Sequence, residues 1–545
     1  MKSTIALQQF KKCIILFMIG IGCSSLTYMI YIIDPITMIL EYNLQMRPHS
    51  FLFKIWKEPN LDIYLKIYIF NITNPIEFLS GKEKLKLQEL GPYVYQEYLV
   101  NDNITFNDNE DTISYVPRRT VVYVPEMSVG DPMEDIVNVP NIPYLGVSSA
   151  LSDAGFMVNY PIVQLANLMN TKPILNISVY DYLWGYEDSL VKLASRIVPN
   201  FINFLKFGLL DRMYDEGENI VTVTLQKNAD MAEEKGRYLS IDKYNGSPGM
   251  AQWGYVETEG NETREENTKC NMLQGATEGI VFPSYIDKRA IFRIYRKAFC
   301  RPLPIIFRKE IWADNGLPGY FYTLTDDFAS PPDRNPDNEC FCRKMKTCLK
   351  KGLVDVTPCY YNIPAAVSLP HFLDADPSLL ENVEGLKPDP EKHKSYVIIQ
   401  QTVGMPMFFH SRMQTNLIMS HLRYNSKIAV FSDTTIPLFW SDLSVTSLPT
   451  YITIILKLVL RILPIAQIMF MYLLGIIGVT TSVLSLISIM WIFNQQQQQE
   501  QEMIKNNDNS DSRVPLYNGH YTPINIVSPL KKIASQTDCL TDYYN

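Results

Sequence analysis

Two long runs without a charged residue constrain this chain more than any other feature. Residues 13–33 read CIILFMIGIGCSSLTYMIYII, and residues 463–493 end in IAQIMFMYLLGIIGVTTSVLSLISIMWIF. A helix needs about 20 mainly apolar residues to cross bilayer hydrocarbon, where every backbone polar group must be satisfied internally. Both runs meet that requirement, so two transmembrane helices are expected. The core of the second falls at residues 465–489, with Trp491 near an interface. Lys11 and Lys12 precede the first run and Asp34-Pro35 follows it, which places residues 1–12 in the cytoplasm. Its end carries bulky Tyr28, Ile30 and Tyr31 in place of a small-residue cleavage site, so it reads as an uncleaved signal anchor. An even number of spans returns residues 494–545 to the cytoplasm. Residues 451–463 set Lys457 and Arg461 four apart among Ile, Leu and Val, the pattern of an amphipathic segment on the outer leaflet. Gly20 with Ser24, and Gly478 with Ser482, give each run a small-residue face suited to packing on the other run or on a second copy.

Residues 34–462 then form a lumenal or extracellular domain. A formal net charge of −8, without a basic domain or recognition motif, argues against nucleic acid as a partner. Candidate N-glycosylation sites at Asn71, Asn103, Asn176, Asn245 and Asn261 all fall in this region. Of nine cysteines, six lie at 270–359: Cys270, Cys300, Cys340, Cys342, Cys348 and Cys359. In a lumenal domain they read as three disulfides, with about fifteen pairings open to them. Cys340-x-Cys342 lacks the usual zinc-knuckle spacing, so neither a metal nor another cofactor is expected. Cys13, at the membrane edge, is a candidate for S-acylation. Residues 494–545 begin with a glutamine run followed by many Asn, Asp and Ser, and read as a disordered tail. Within the tail, Tyr521-Thr522-Pro523-Ile524 matches a tyrosine-based sorting signal for an endocytic adaptor, with Tyr521 and Ile524 as its anchors.

Residues 61–70, 112–124, 220–225, 396–403 and 428–431 carry strand signals, the second interrupted by Pro117. Residues 189–210 place Lys192, Arg196 and Lys206 on one side, with Leu190, Ala194, Ile197, Phe201 and Leu205 on the other, and Pro199 divides them. Residues 151–170 are similar, with Pro161 as a break. Antiparallel strands with an inserted helical cluster imply an α+β fold with a helical cap at about 148–211. The apolar side of the cap is either core or partly turned to a ligand. No Gly-x-Ser-x-Gly or His-Glu-x-x-His sequence is present, and His371 and His393 have no assignable nucleophile, so no catalytic residue is assigned. Arg118 and Arg119 read as structural partners of carboxylates.

Several motifs recur together in one family. Gly91-Pro92-Tyr93 with Tyr95 and Glu97, YVPRRTVVY at 115–123, LWGY at 183–186, NPDNECFC at 335–342, VSLPHFL at 367–373 and GLKPDPEKHKSYVIIQQT at 385–402 resemble the CD36 family, the class B scavenger receptors. The likeness covers about 13–493, and the Ile-, Asn- and Tyr-rich composition fits an invertebrate member. The resemblance implies an antiparallel β-barrel-like ectodomain, a helical cap and an apolar tunnel, anchored by two transmembrane helices. It implies the disulfides Cys270–Cys340, Cys300–Cys359 and Cys342–Cys348. It also implies lipid partners: fatty acids, sterols, carotenoids, phospholipids or lipoproteins, bound at the cap and taken up through the tunnel. On this chain the cap offers Lys172, Lys192, Arg196, Phe201 and Lys206, opposed by Asp181, Glu187 and Asp188. An adhesion or endolysosomal trafficking receptor with a protein cargo is the alternative. Residence at the plasma membrane, cycling through endosomes or lysosomes, and homo-oligomers are further expectations.

Overall fold

A computed structural model describes residues 2–510, apart from 108, 110, 201, 215–218, 227–236, 259–263 and 343–347. The chain divides into two compact units, Met1–Asp34 with Gln467–Asn545, and Pro35–Ala466.

The terminal unit is built on two helices, Lys2–Ile33 and Leu463–Ser510, both long and apolar enough to cross a membrane. Their small-residue faces meet. A Cβ at Gly20 would collide with the Ser482 hydroxyl and the Gly478 carbonyl, and one at Gly478 with Ser24. The faces thus pack on each other within one chain, where close backbone approach favours dispersion contact. Gln467 Nε2 donates to Asp34 Oδ1 at 2.9 Å. The second helix also corrects an expectation. The tail read as disordered from residue 494 is helical as far as Ser510, because Gln, Glu, Met and Lys propagate a helix already nucleated by the apolar run.

The larger unit is mixed helix and sheet. Its main strands are β1 (Ile63–Ile72), β2 (Leu85–Asn107), β3 (Thr112–Tyr123), β4 (Val221–Thr224), β5 (Ile241–Tyr244), β6 (Phe292–Ile294), β7 (Leu303–Trp312), β8 (Pro318–Leu324), β9 (Tyr396–Gln400), β10 (Met405–Ile418) and β11 (Thr435–Val445). In β1, Leu65, Ile67 and Ile69 are buried while Tyr64, Lys66 and Tyr68 are partly exposed, the period-two pattern of a strand with one face inward. The sheet order is β6-β7-β8-β9-β10-β11-β1-β2-β3-β4-β5, an antiparallel meander with the first strand seated beside the last. Ile63 at the start of β1 pairs with Val445 at the end of β11. The chain therefore enters and leaves the sheet at one place. There the helices Pro35–Asn43, Phe51–Lys57 and Thr450–Lys457 flank it, and Leu44, Ile452 and Leu456 pack with Met405 and Met407.

The expected barrel is not closed. β5 and β6 remain as edges, with no strand pair between them. Residues 275–277 stand in the gap. Gly275 N and Ala276 O bond to Ile241 on one side, and Thr277 bonds to Arg293 and Tyr295 on the other. The turn in which Ala276 N donates to Leu273 O, with Gly275 at φ 84°, stops this segment from extending as a strand.

Two local readings change for similar reasons. Residues 428–431 form a turn of 3₁₀ helix, Ala429–Phe431, in place of a strand. Ile428 and Phe431 are fully buried, and a short apolar run does not reveal which backbone shape buries it. β3 runs through Pro117 without interruption, because β4 pairs only with Thr112–Tyr115 and leaves Pro117 beyond the paired stretch on that side.

The helical cluster begins earlier than expected, at Ile142. It comprises Ile142–Ala150, Phe156–Leu168, Val179–Trp184, Ser189–Ile197 and Leu209–Tyr214. Asn141, Ser178 and Asp188 cap three of these through side-chain oxygens. Ser189–Ile197 stops before Pro199, whereas Phe156–Leu168 contains Pro161 and continues through it. Proline removes one intrahelical bond there, and the neighbouring turns hold the rest.

Candidate functional site

Three apolar cavities occupy the larger unit. The first, about 190 Å³, lies among the strands and is lined by Leu61, Leu65, Leu99, Phe282, Ile305 and Leu443. The second, about 270 Å³, lies against the flanking helices at Ile36, Leu40, Ile55, Ile455 and Leu456. The third, about 50 Å³, lies beneath the helical cluster at Ile142, Phe207, Leu209 and Met213. The first and second share Pro59, Leu61, Ile280 and Pro406. The first and third share Met213 and Ala298. Shared walls make them a row from the helical cluster to the flanking helices. Such surface accepts hydrocarbon, which gains about 25 cal/mol for each Å² removed from water.

One ionic group interrupts the first cavity's apolar wall. Glu97 on β2 and Arg119 on β3 are diagonal neighbours, since Glu97 pairs with Val121 and Leu99 with Arg119. Arg119 Nε lies 3.7 Å from Glu97 Oε1, and its Nη2 lies 3.6 Å from Glu278 Oε1. Arg296 Nη1 approaches Glu97 Oε1 at 3.9 Å. Tyr214 donates to Glu97 Oε2 at 2.7 Å, and Tyr115 donates to Glu278 Oε2. Burial, followed by the adjoining carboxylates, pushes both phenols far above their ordinary value. Arg118 instead pairs with Asp102 at the surface, 3.2 Å away. The sequence motifs contain Glu97 and Arg119, but Glu278, Arg296 and Tyr214 come from remote segments that no spacing connects.

The motifs also fasten the helical cluster to the sheet. Gly91 at φ 149° has no room for a Cβ against the Ile67 carbonyl, which fits the irregular register of β1 and β2 there. Tyr93 donates to Asp135 at 2.8 Å, and Trp184 Nε1 to the Tyr95 hydroxyl at 3.1 Å.

The cap residues read from the sequence do not converge. Lys172, Arg196 and Lys206 are exposed, and Lys192 is neutralised by Glu187 at 2.5 Å. None of the four lines the three cavities. Phe201 lies outside the described residues. Within the cap, the cation that lines a cavity is Arg212, half-buried, paired with Asp211 and 4.3 Å from the Phe204 ring. Part of the cap's apolar side faces outward. Met157, Leu168 and Ile197 are 83%, 85% and 67% exposed, enough to mark the cap as an apolar surface.

Three disulfides join Cys270 to Cys340, Cys300 to Cys359 and Cys342 to Cys348, while Cys13 and Cys23 are free thiols among the described residues. Asn103, Asn176 and Asn245 are exposed. Asn71 is half-buried within β1, and its Oδ1 accepts from Asn138 N at 2.8 Å. Asn261 and the sorting residues Tyr521 and Ile524 lie outside the described residues. Glycopeptide mass spectrometry is expected to find Asn103 highly occupied and Asn71 least occupied; equal occupancy would contradict this burial argument.

His371 and His393 stack with ring centres 4.4 Å apart. Each Nδ1 accepts a backbone N–H, from Lys387 and Asp389 respectively, and His371 Nε2 meets Glu89 at 2.5 Å. These bonds tie the 385–393 segment to the strand that carries Glu89. Burial, then the neighbouring His371, lowers His393 to about 4. An unfolded histidine protonates near about 6.5. The stabilisation from neutral His393 is therefore complete above pH 6.5 and lost as pH falls towards 4. Each pH unit in that window removes at most about 1.4 kcal/mol. Urea midpoints should fall from pH 7 to 4.5 less in His393→Asn than in wild type. Equal falls would assign the acid sensitivity elsewhere.

A row of apolar cavities lies in a sheet-based unit that is flanked in sequence by two candidate spanning helices. The chain belongs to the CD36 family, whose model matches residues 13–489. It is 30% identical to scavenger receptor class B member 1 of Rattus norvegicus over 429 residues, covering 78% of this chain and 79% of that protein. It is 30% identical to the Sus scrofa protein of that name over 399 residues, 73% of each chain. It is 29% identical to lysosome membrane protein 2 of Homo sapiens over 383 residues, 70% of this chain and 74% of that protein.

Proposed function

We propose that this chain is a receptor, not an enzyme, that binds lipids or lipoproteins at its helical cap and passes lipid through its cavities to the outer leaflet. The carrying observation is the row of three adjoining apolar cavities between the helical cluster and the helices that lead into the spans. In this reading the cavities open into one tunnel as side chains at their shared walls move. A shielded path spares the ligand exposure to water, so transfer runs down a concentration gradient without nucleotide hydrolysis. Fatty acids, sterols, carotenoids and phospholipids are the cargo classes. Both termini are cytoplasmic, with Cys13 as an S-acylation site and Tyr521-Thr522-Pro523-Ile524 engaging an endocytic adaptor.

The test is uptake by cells expressing the full chain, with labelled fatty acid, sterol, cholesteryl ester, carotenoid and lipoprotein, and surface biotinylation in parallel. Saturable uptake supports the proposal. Well-expressed surface protein without uptake overturns it. The exposed apolar cap residues also favour a second reading, a trafficking receptor that holds a protein cargo there. Charge substitutions at Met157 and Leu168 that abolish cargo co-sorting, in a chain that moves no lipid, would establish that reading.

A further inference from the structure

We infer that Glu97 is the docking point, inside the first cavity, for the free hydroxyl of an uncharged lipid alcohol such as a sterol. The inference rests on the reading that lipid enters these cavities.

The Glu97 side chain is 1% exposed. One of its oxygens is satisfied by Tyr214, but Oε1 has no hydrogen-bond donor among the described residues. The guanidinium nitrogens at 3.7 and 3.9 Å lie beyond hydrogen-bond reach. A buried acceptor left in that state is costly, and a ligand that brings a donor removes the cost. A lipid hydroxyl is such a donor. Its own oxygen also has lone pairs for Arg296, whose side chain is 23% exposed. Two hydrogen bonds in series, each about 2.8 Å, require Arg296 to draw back from the present 3.9 Å.

The missing donor decides among the competing lipids. Among the described residues, Glu97 and Glu278 face Arg119 and Arg296. An ionised fatty acid brings no donor for Glu97 Oε1 and would set a negative charge beside it. Esters and ethers also lack a donor. The surrounding Leu61, Leu65, Leu99 and Phe282 accept the hydrocarbon body of any of these ligands, so the hydroxyl supplies the discrimination.

Full-length protein in nanodiscs would be titrated with dehydroergosterol, its 3-O-methyl ether and cis-parinaric acid, with tryptophan energy transfer as the readout. The alcohol is expected to bind about tenfold or more tightly than the ether. Glu97→Gln should bring the two within about twofold, whereas Tyr214→Phe, which keeps the carboxylate, should retain the preference. Equal binding of alcohol and ether by wild type would overturn the inference while leaving lipid binding intact. A preference that survives in Glu97→Gln would overturn the assignment to Glu97. Should Glu97→Gln fail to fold, photolabelling of wild type by a diazirine sterol decides. Labelling on β2 or beside Arg296 supports the site, and labelling confined elsewhere overturns it. Binding of none of the three probes would overturn the lipid-transfer reading itself.

Discussion

An Ile280→Trp protein is expected to reach the cell surface in near-normal amount and to lose about tenfold or more of its lipid transfer. Ile280 stands in the wall shared by the first and second cavities. The added indole volume would fill the passage at that wall. Overpacking a filled core costs about 1–3 kcal/mol, but here the substituent enters existing space, so folding should suffer less than transport. Ile280→Ala widens the same position and should retain transfer. Uptake assays normalised to surface biotinylation separate the effects. Normal transfer by well-folded Ile280→Trp would mean that lipid does not pass between these cavities.

Removal of the Cys300–Cys359 disulfide is expected to cost considerably more stability than removal of Cys342–Cys348. It closes a separation of 59 residues, against 6 for Cys342–Cys348. The chain-entropy relation gives about 4 kcal/mol for the longer loop and about 2 kcal/mol for the shorter. Cys300 is also fully buried, beside Leu303, Val354 and Val356. The double variant Cys300→Ser, Cys359→Ser should therefore be retained inside the cell or unfold at much lower urea concentration. Cys342→Ser, Cys348→Ser should be secretion-competent with a smaller shift. Equal losses in the two double variants would show that native-state packing, not loop closure, sets the effect.

Local pattern carried much of this architecture. The two charge-free runs announced themselves through length, and β1 through its Ile- and Tyr-rich composition, because each signal is complete within one segment. Even the small-residue faces at Gly20 and Gly478 were legible as packing surfaces, although their mutual contact was not. The readings that changed were those where one segment's state depends on another. The 428–431 run is apolar because it is covered, and Pro117 is tolerated because β4 ends before reaching it. Cap cations stood out as a periodic stripe, yet Lys192 is paired with Glu187 and the cap cation that lines a cavity is Arg212.

The sequence by itself determined two apolar runs long enough to span a membrane, a cysteine-rich polar region between them, an α+β composition and the family motifs. These follow from hydropathy, periodicity and residue type, which act over a few turns or a few strand residues. Only the tertiary structure decided that the sheet stays open between β5 and β6, that three cavities adjoin, and that Glu97 meets Arg119, Glu278 and Arg296 in the wall of one. Those outcomes depend on which distant segments share buried space. Burial of a charge is tolerable only when its partners arrive with it.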